Sequence, residues 1–187
     1  SQQPEVWEQV WERINTEQSA LQQFLSEALS NSTRILITGA GTSAFIGFSL
    51  RGTFQRLTGM LTEVVASTDI VSHPKDYFQA GIPTLMISFA RSGNSPESVA
   101  AVELADKFSN TCYHLIITCN AEGQLSTYRS PSCKYVFNLP KEANDQSLAM
   151  TSSYSGMLLA GMLAAHINDL HAVTNSVNLI IKYARRI

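Results

Sequence analysis

Five short stretches limit what this chain can fold into: RILIT (34–38), TEVVAS (62–67), PTLMISFA (83–90), YHLIIT (113–118) and KYVFNL (134–139). They are largely continuous apolar runs rather than alternations of apolar and polar residues, the pattern of strands buried on both faces. Helical segments separate them; from Ser95 to Phe108, for example, Val99, Val102, Leu104 and Ala105 form an apolar stripe. Strands of this kind alternating with helices build βαβ units and a parallel sheet covered on both sides. The expected fold class is therefore α/β, a three-layer αβα sandwich around a five-stranded parallel sheet.

Residues 1–33 read as leading helices, and residues 34–187 as the sandwich. In the leading part Trp7, Val10, Trp11 and Ile14 share one face, and Leu21, Phe24, Leu25 and Leu29 another. A break is expected near Asn15-Thr16, where Thr16 followed by Glu17 can open a second helix. Short helices are expected from Ser43 to about Leu57 and near Gln124–Tyr128, and longer ones at about Thr151–Asn168 and Val173–Arg186.

Composition excludes several function classes. A net charge of −2 with scattered Lys and Arg gives no stripe for replacing nucleic-acid counterions. The longest apolar run, Met157 to Ala165, is too short to span a bilayer. The opening SQQPEVWEQ is polar and acidic rather than a secretory signal, so the cytoplasm is the expected compartment. Cys112, Cys119 and Cys133 are odd in number and read as reduced, and the four histidines lack ligand spacing, so no metal is expected.

In an open parallel sheet, ligands bind beyond the carboxyl ends of the strands. Three turns there carry anion-binding chemistry. In ITGAGTSAFIG (37–47), Gly39 and Gly41 permit positive φ, and Thr42 and Ser43 open a helix whose free N–H groups favour an anion. In SFARSGNSPES, Ser95 is placed as an N-cap with Pro96 at the first helical position, while Ser92, Gly93 and Asn94 exceed what a cap needs. The third turn, NDQSLAMTSS (144–153), is again rich in hydroxyls. A phosphate can be held by such donors without lysine, each hydrogen bond to a charged group contributing about 1.5–3 kcal/mol. GAGTSA also fits a dinucleotide fingerprint, which needs an acid closing the second strand. Glu63 opens that strand instead and Asp69 lies beyond it, so a dinucleotide site is the weaker alternative.

The GTS turn, the SGNSPES turn and the hydroxyl-rich third turn together resemble sugar isomerase (SIS) domains, a flavodoxin- or Rossmann-like fold. GAGTSAFIG, SFARSGNSPESVAAVELA, CYHLIITCN and AMTSS are similar to the tagatose-6-phosphate ketose/aldose isomerase family, whose members include galactosamine-6-phosphate deaminase/isomerases. The resemblance runs along essentially the whole chain. It implies two SIS domains per polypeptide, of which this chain matches the first, and VNLIIKYARRI reads as a helix leading into a second half.

By that similarity Gly41, Thr42 and Ser43 contact the sugar or phosphate, and Ser92, Gly93, Asn94 and Ser95 form the phosphate cradle. Arg91 stands where relatives have glutamine, and either reaches the phosphate or pairs with an acid on the surface. In the third turn related amidotransferase-type isomerases have serine where Met150 stands and lysine near Ser152; contact there falls to backbone, to Thr151 or to Asp145.

The implied reaction opens a hexose 6-phosphate or amino-hexose 6-phosphate and moves a proton between C1 and C2, with no cofactor. It needs a carboxylate base. Glu97, Glu142 and Asp145 are the nearest carboxylates; a first-turn glutamate such as Glu97 ordinarily serves the helix dipole. The catalytic groups are therefore expected from the second SIS domain or a neighbouring subunit of a homo-oligomer. Two alternatives are a non-catalytic sugar-phosphate sensor and a structural half that dimerises through the helix containing Met157, Leu158, Leu159, Met162 and Leu163.

Overall fold

The computed structural model describes residues 2–145 and 149–186. Strands β1 (Arg34–Gly39), β2 (Leu61–Ala66), β3 (Thr84–Ala90), β4 (Cys112–Thr118) and β5 (Cys133–Asn138) form one parallel sheet in the order β2-β1-β3-β4-β5. All seven residues of β3 are buried, as its unbroken apolar sequence requires. The chain adds β2 on one side of β1 and then β3 on the other, so the winding reverses between β1 and β3. Crossovers there leave in opposite directions and open a crevice above the strand ends.

One face of the sheet carries α1 (Gln3–Ser30), α2 (Ser43–Thr58), α7 (Thr151–Ala165) and α8 (His171–Ala184). The other carries α3 (Ser67–Ser72), α4 (Pro74–Tyr77), α5 (Pro96–Phe108) and α6 (Gln124–Thr127). The parallel α/β sandwich matches the sequence expectation. The two short helices α3 and α4 are additions, anchored through buried Ile70 and, just beyond α4, buried Phe78.

The leading segment departs from expectation. It is a single helix of 28 residues with no break at Asn15-Thr16. Asn15 Nδ2 donates to the Trp11 carbonyl at 2.7 Å and Thr16 Oγ1 to that of Glu12 at 2.9 Å. Both side chains thus bond back along the turn they belong to instead of capping a new helix. The helix buries Val6, Val10, Ile14, Leu21 and Leu25 in the same core as α7 and the sheet, while Trp7 and Trp11 lie at its margin.

Helix α7 packs mainly into the core, with Leu158, Leu159 and Met162 partly buried at its margin. Met157, Ala160 and Leu163 are buried, and two glycines let its backbone press against its neighbours. A Cβ on Gly161 would stand 2.8 Å from Phe89 Cζ, and one on Gly156 2.9 Å from Leu139 Cδ2.

On the opposite face, Asp106 ties α5 to β4 and to residues 128–132. His114 Nε2 donates to its Oδ1 at 2.8 Å and Ser132 Oγ at 2.5 Å. Ser130 Oγ and Tyr128 OH donate to Oδ2 at 2.7 and 3.2 Å. His114 is fully buried and the aspartate side chain 5% exposed. This hub lies near the amino end of β4, away from the crevice.

Candidate functional site

The crevice between the ends of β1 and β3 is built from three helix starts. Beyond β1 the chain turns at Gly41, with φ +54°. Gly39 does not adopt positive φ; its missing Cβ matters because one would lie 2.7 Å from the Ser43 carbonyl carbon. Nor are the first amides of α2 free. Ser43, Ala44 and Phe45 donate their N–H groups to the carbonyls of Ala40, Gly41 and Thr42 at 3.1 Å. This tight turn presents the hydroxyls of Thr42 and Ser43, rather than a row of amides, to the crevice.

The second loop, Ser92 to Ser95, combines two sets of bonds. Gly93 is buried at φ +63°, and its carbonyl accepts the Leu125 N–H at 2.9 Å. Asn94 Oδ1 accepts the Gln124 N–H at 2.9 Å, and Asn120 Nδ2 donates to the Ser92 carbonyl at 2.9 Å. Asn94 therefore caps α6 and braces the loop from outside, and it does not line the crevice. Ser92 Oγ accepts the Asn94 N–H at 3.2 Å, which leaves its own proton to donate.

Ser95 occupies the N-cap position with extended backbone, but its side chain makes no capping bond. Instead Ser95 Oγ and Ser98 Oγ share a 2.6 Å hydrogen bond, and both line the crevice. The expected capping role of the Ser95 hydroxyl is thus replaced by a serine pair one helical turn apart. Alanine at position 93 must adopt a left-handed backbone and place its Cβ 3.4 Å from Thr118 Oγ1. Gly93→Ala is expected to lower stability by about 1–2 kcal/mol in urea unfolding, the usual cost of that backbone for an L-residue.

The third wall is the start of α7, with Met150, Ser153, Tyr154 and Met157 on the crevice. Gln146, Ser147 and Leu148 of the third sequence turn lie outside the described residues. Asp145 is 6% exposed and sits behind this wall. Its Oδ2 accepts the Ser153 N–H at 2.8 Å, and its backbone carbonyl accepts Arg91 Nη1 at 3.1 Å. Burial works against the Asp145 charge, but the amides and hydroxyls of Ser153 and Ser152 outweigh it and hold its carboxyl below the usual range. Thr151 is exposed and lines an adjoining groove with Gln3, Phe45 and Ser155; Thr42, Met150 and Tyr154 are common to both depressions.

The crevice encloses about 180 Å³. Thr42, Ser43, Ser92, Ser95, Ser98 and Ser153 supply its aliphatic hydroxyls, and Arg91 is the only formal charge among the described lining residues. Arg91 bonds a neutral carbonyl rather than a carboxylate, so its charge stays available to an anion. Of the sequence-derived candidates, Thr42, Ser43, Arg91, Ser92 and Ser95 meet at the crevice. Gly41 and Gly93 shape its loops, while Asn94 and Asp145 brace it from behind.

Ser98, Ser153 and Tyr154 complete the lining and were missed. The spacing of Ser95 and Ser98, one turn apart at a helix start, is the signal that could have found the first of them. None of Glu97, Glu142 and Asp145 lines the crevice. Glu63, weighed as the acid of a dinucleotide fingerprint, pairs with Arg34 at 3.1 Å in the opening half of β2. Burial pushes the Cys112 and Cys119 thiols up to about 12, which makes both inert as nucleophiles. Among the described residues no group of His, Cys, Asp and Glu is arranged to hold a metal ion, and no helix is long and apolar enough to cross a membrane.

A family model described as the SIS domain matches residues 28–167. The chain belongs to the SIS domain family. Helix α1 precedes most of the matched SIS region yet contributes to the same core. This SIS domain is 47% identical over 168 residues to the D-galactosamine-6-phosphate deaminase AgaS of Shewanella sp. strain ANA-3, covering 87% of this chain and 43% of that protein. It is 45% identical over 159 residues to AgaS of Escherichia coli, covering 83% of this chain and 41% of the relative. The crystal structure of tagatose-6-phosphate ketose/aldose isomerase from Escherichia coli superimposes with a TM-score of 0.89 at 38% identity, covering 99% of this chain and 52% of the other. The SIS chain thus spans less than half the length of these curated relatives.

Proposed function

We propose that this SIS domain binds the phosphate of a hexose 6-phosphate or amino-hexose 6-phosphate, as part of an aldose–ketose isomerase or amino-sugar-phosphate deaminase. The observation that carries the reading is the crevice itself: six aliphatic hydroxyls and one guanidinium bonded to a neutral carbonyl, at the winding reversal of a parallel sheet. Hydroxyl donors and a single Arg suit a phosphoester, whose several acceptor oxygens need donors more than they need bulk charge. The adjoining groove along Phe45, Thr151 and Tyr154 leaves room for the sugar. The relatives named above are deaminases and an isomerase of galactosamine and tagatose 6-phosphates.

In the proposed reaction the open-chain sugar loses its C2 proton to a base and gains one at C1, through an enediol or, for an amino sugar, an enolamine. In the amino case the resulting C2 imine takes up water and releases ammonia, leaving a ketose. Crevice donors stabilise the developing oxyanion. The described lining residues include no carboxylate or imidazole. We assign the base to a second SIS domain or to a neighbouring subunit of a homodimer, working in the cytoplasm. The exposed Phe45 and Phe48 beside the groove offer that partner an apolar edge. The isolated chain is then expected to bind without appreciable turnover.

A thermal-shift comparison tests this reading. Galactosamine 6-phosphate and tagatose 6-phosphate should raise the Tm, and galactosamine and tagatose should not. Equal responses to the four sugars would overturn it, and a shift with NAD alone would favour a dinucleotide instead.

A further inference from the structure

We propose that Asp145 is a positioning residue for the phosphate site, acting through Arg91 rather than touching the ligand. This rests on the phosphosugar reading above. One residue makes two contacts that face different parts of the crevice. Its carboxylate accepts the Ser153 N–H at 2.8 Å, which fixes residue 145 against the first turn of α7. Its carbonyl accepts Arg91 Nη1 at 3.1 Å, which tethers the one charged group among the described lining residues at the crevice wall.

The start of α1 closes the arrangement from behind. Gln2 Nε2 lies 3.0 Å from the Glu142 carbonyl, 3.2 Å from Ser152 Oγ and 3.4 Å from Asp145 Oδ1. That single amide holds residues on both sides of the third turn. A guanidinium without such a tether explores many rotamers and loses that freedom on meeting a phosphate. A carbonyl fixed in place removes much of that loss beforehand, and its neutrality leaves the Arg91 charge to the ligand.

The test is a double-mutant cycle on galactosamine 6-phosphate binding, read by isothermal titration, with each variant's Tm measured without ligand. Arg91→Ala and Asp145→Asn should each weaken binding by roughly 5- to 30-fold. In the Arg91→Ala background Asp145→Asn should add less than about 2-fold, because the residue through which it acts is gone. Gln2→Ala should show the same dependence on Arg91 at smaller size, and serves if Asp145→Asn lowers the Tm severely. Additive losses, or unchanged binding in Asp145→Asn and Gln2→Ala, would overturn the tether while leaving the phosphate site intact. A wild-type chain that does not distinguish galactosamine 6-phosphate from galactosamine would overturn both.

Discussion

Asp106→Ala is expected to lower the unfolding free energy by about 3–5 kcal/mol, the scale on which removal of one member of a buried polar pair acts. The variant leaves His114, fully buried, without the carboxylate that its Nε2 meets at 2.8 Å. It also strips Ser130, Ser132 and Tyr128 of their common acceptor, so the segment between α6 and β5 loses its anchor to α5. Asp106→Asn keeps an acceptor but not the charge, and should cost less. Urea unfolding of the three proteins checks the order.

The same carboxylate gives a pH dependence. Burial raises its pKa, but hydrogen bonds from His114, Ser132 and Ser130, together with the His114 charge, bring it down from 3.8 to about 2. A depressed pKa stabilises the fold above the unfolded-state value, and that stability is lost as pH falls through the folded one. Between pH 4 and 2 the wild type should therefore lose about 2 kcal/mol that Asp106→Asn does not lose. Parallel acid curves for the two proteins would contradict the hub.

The second large effect concerns binding. Ser92→Ala combined with Ser95→Ala should weaken galactosamine 6-phosphate binding by about 3 kcal/mol or more, at least roughly a hundredfold. Both hydroxyls line the crevice, Ser92 with its proton free to donate and Ser95 paired to Ser98. Because Ser95 makes no capping bond, the change should cost the fold little. Titration of variant and wild type gives the ratio, and a Tm within a few degrees of wild type shows that the fold survives. Undiminished affinity would remove the serines from the cradle.

Much of this was legible in the sequence because continuous apolar runs carry their own information about burial. The runs around Ile37, Ile87 and Ile116 announce central strands, and polar turns beyond them announce the sheet edge that holds a site. What failed depended on contacts distant in sequence. Asn15 and Thr16 look like a helix start, and only their back-bonds to Trp11 and Glu12 show the helix running through. Helices α3 and α4 are too short to display a period, with Ile70 as their only buried large apolar residue. Asn94 reads as a ligand donor until Gln124, 30 residues on, occupies it. The Asp106 hub joins α5, β4 and residues 128–132, which no local pattern links.

The central claim is that the crevice above β1 and β3 holds the phosphate of a sugar ester. Amide ¹H–¹⁵N shift mapping during titration with galactosamine 6-phosphate tests it most directly, since it reports where the ligand sits as well as whether it binds. Saturable shifts should concentrate at Thr42, Ser43, Ser92 to Ser98 and Ser153, with galactosamine leaving them unmoved. Shifts centred on the groove at the opposite end of the sheet, around Leu57 to Leu61, or identical maps for the two sugars would contradict it.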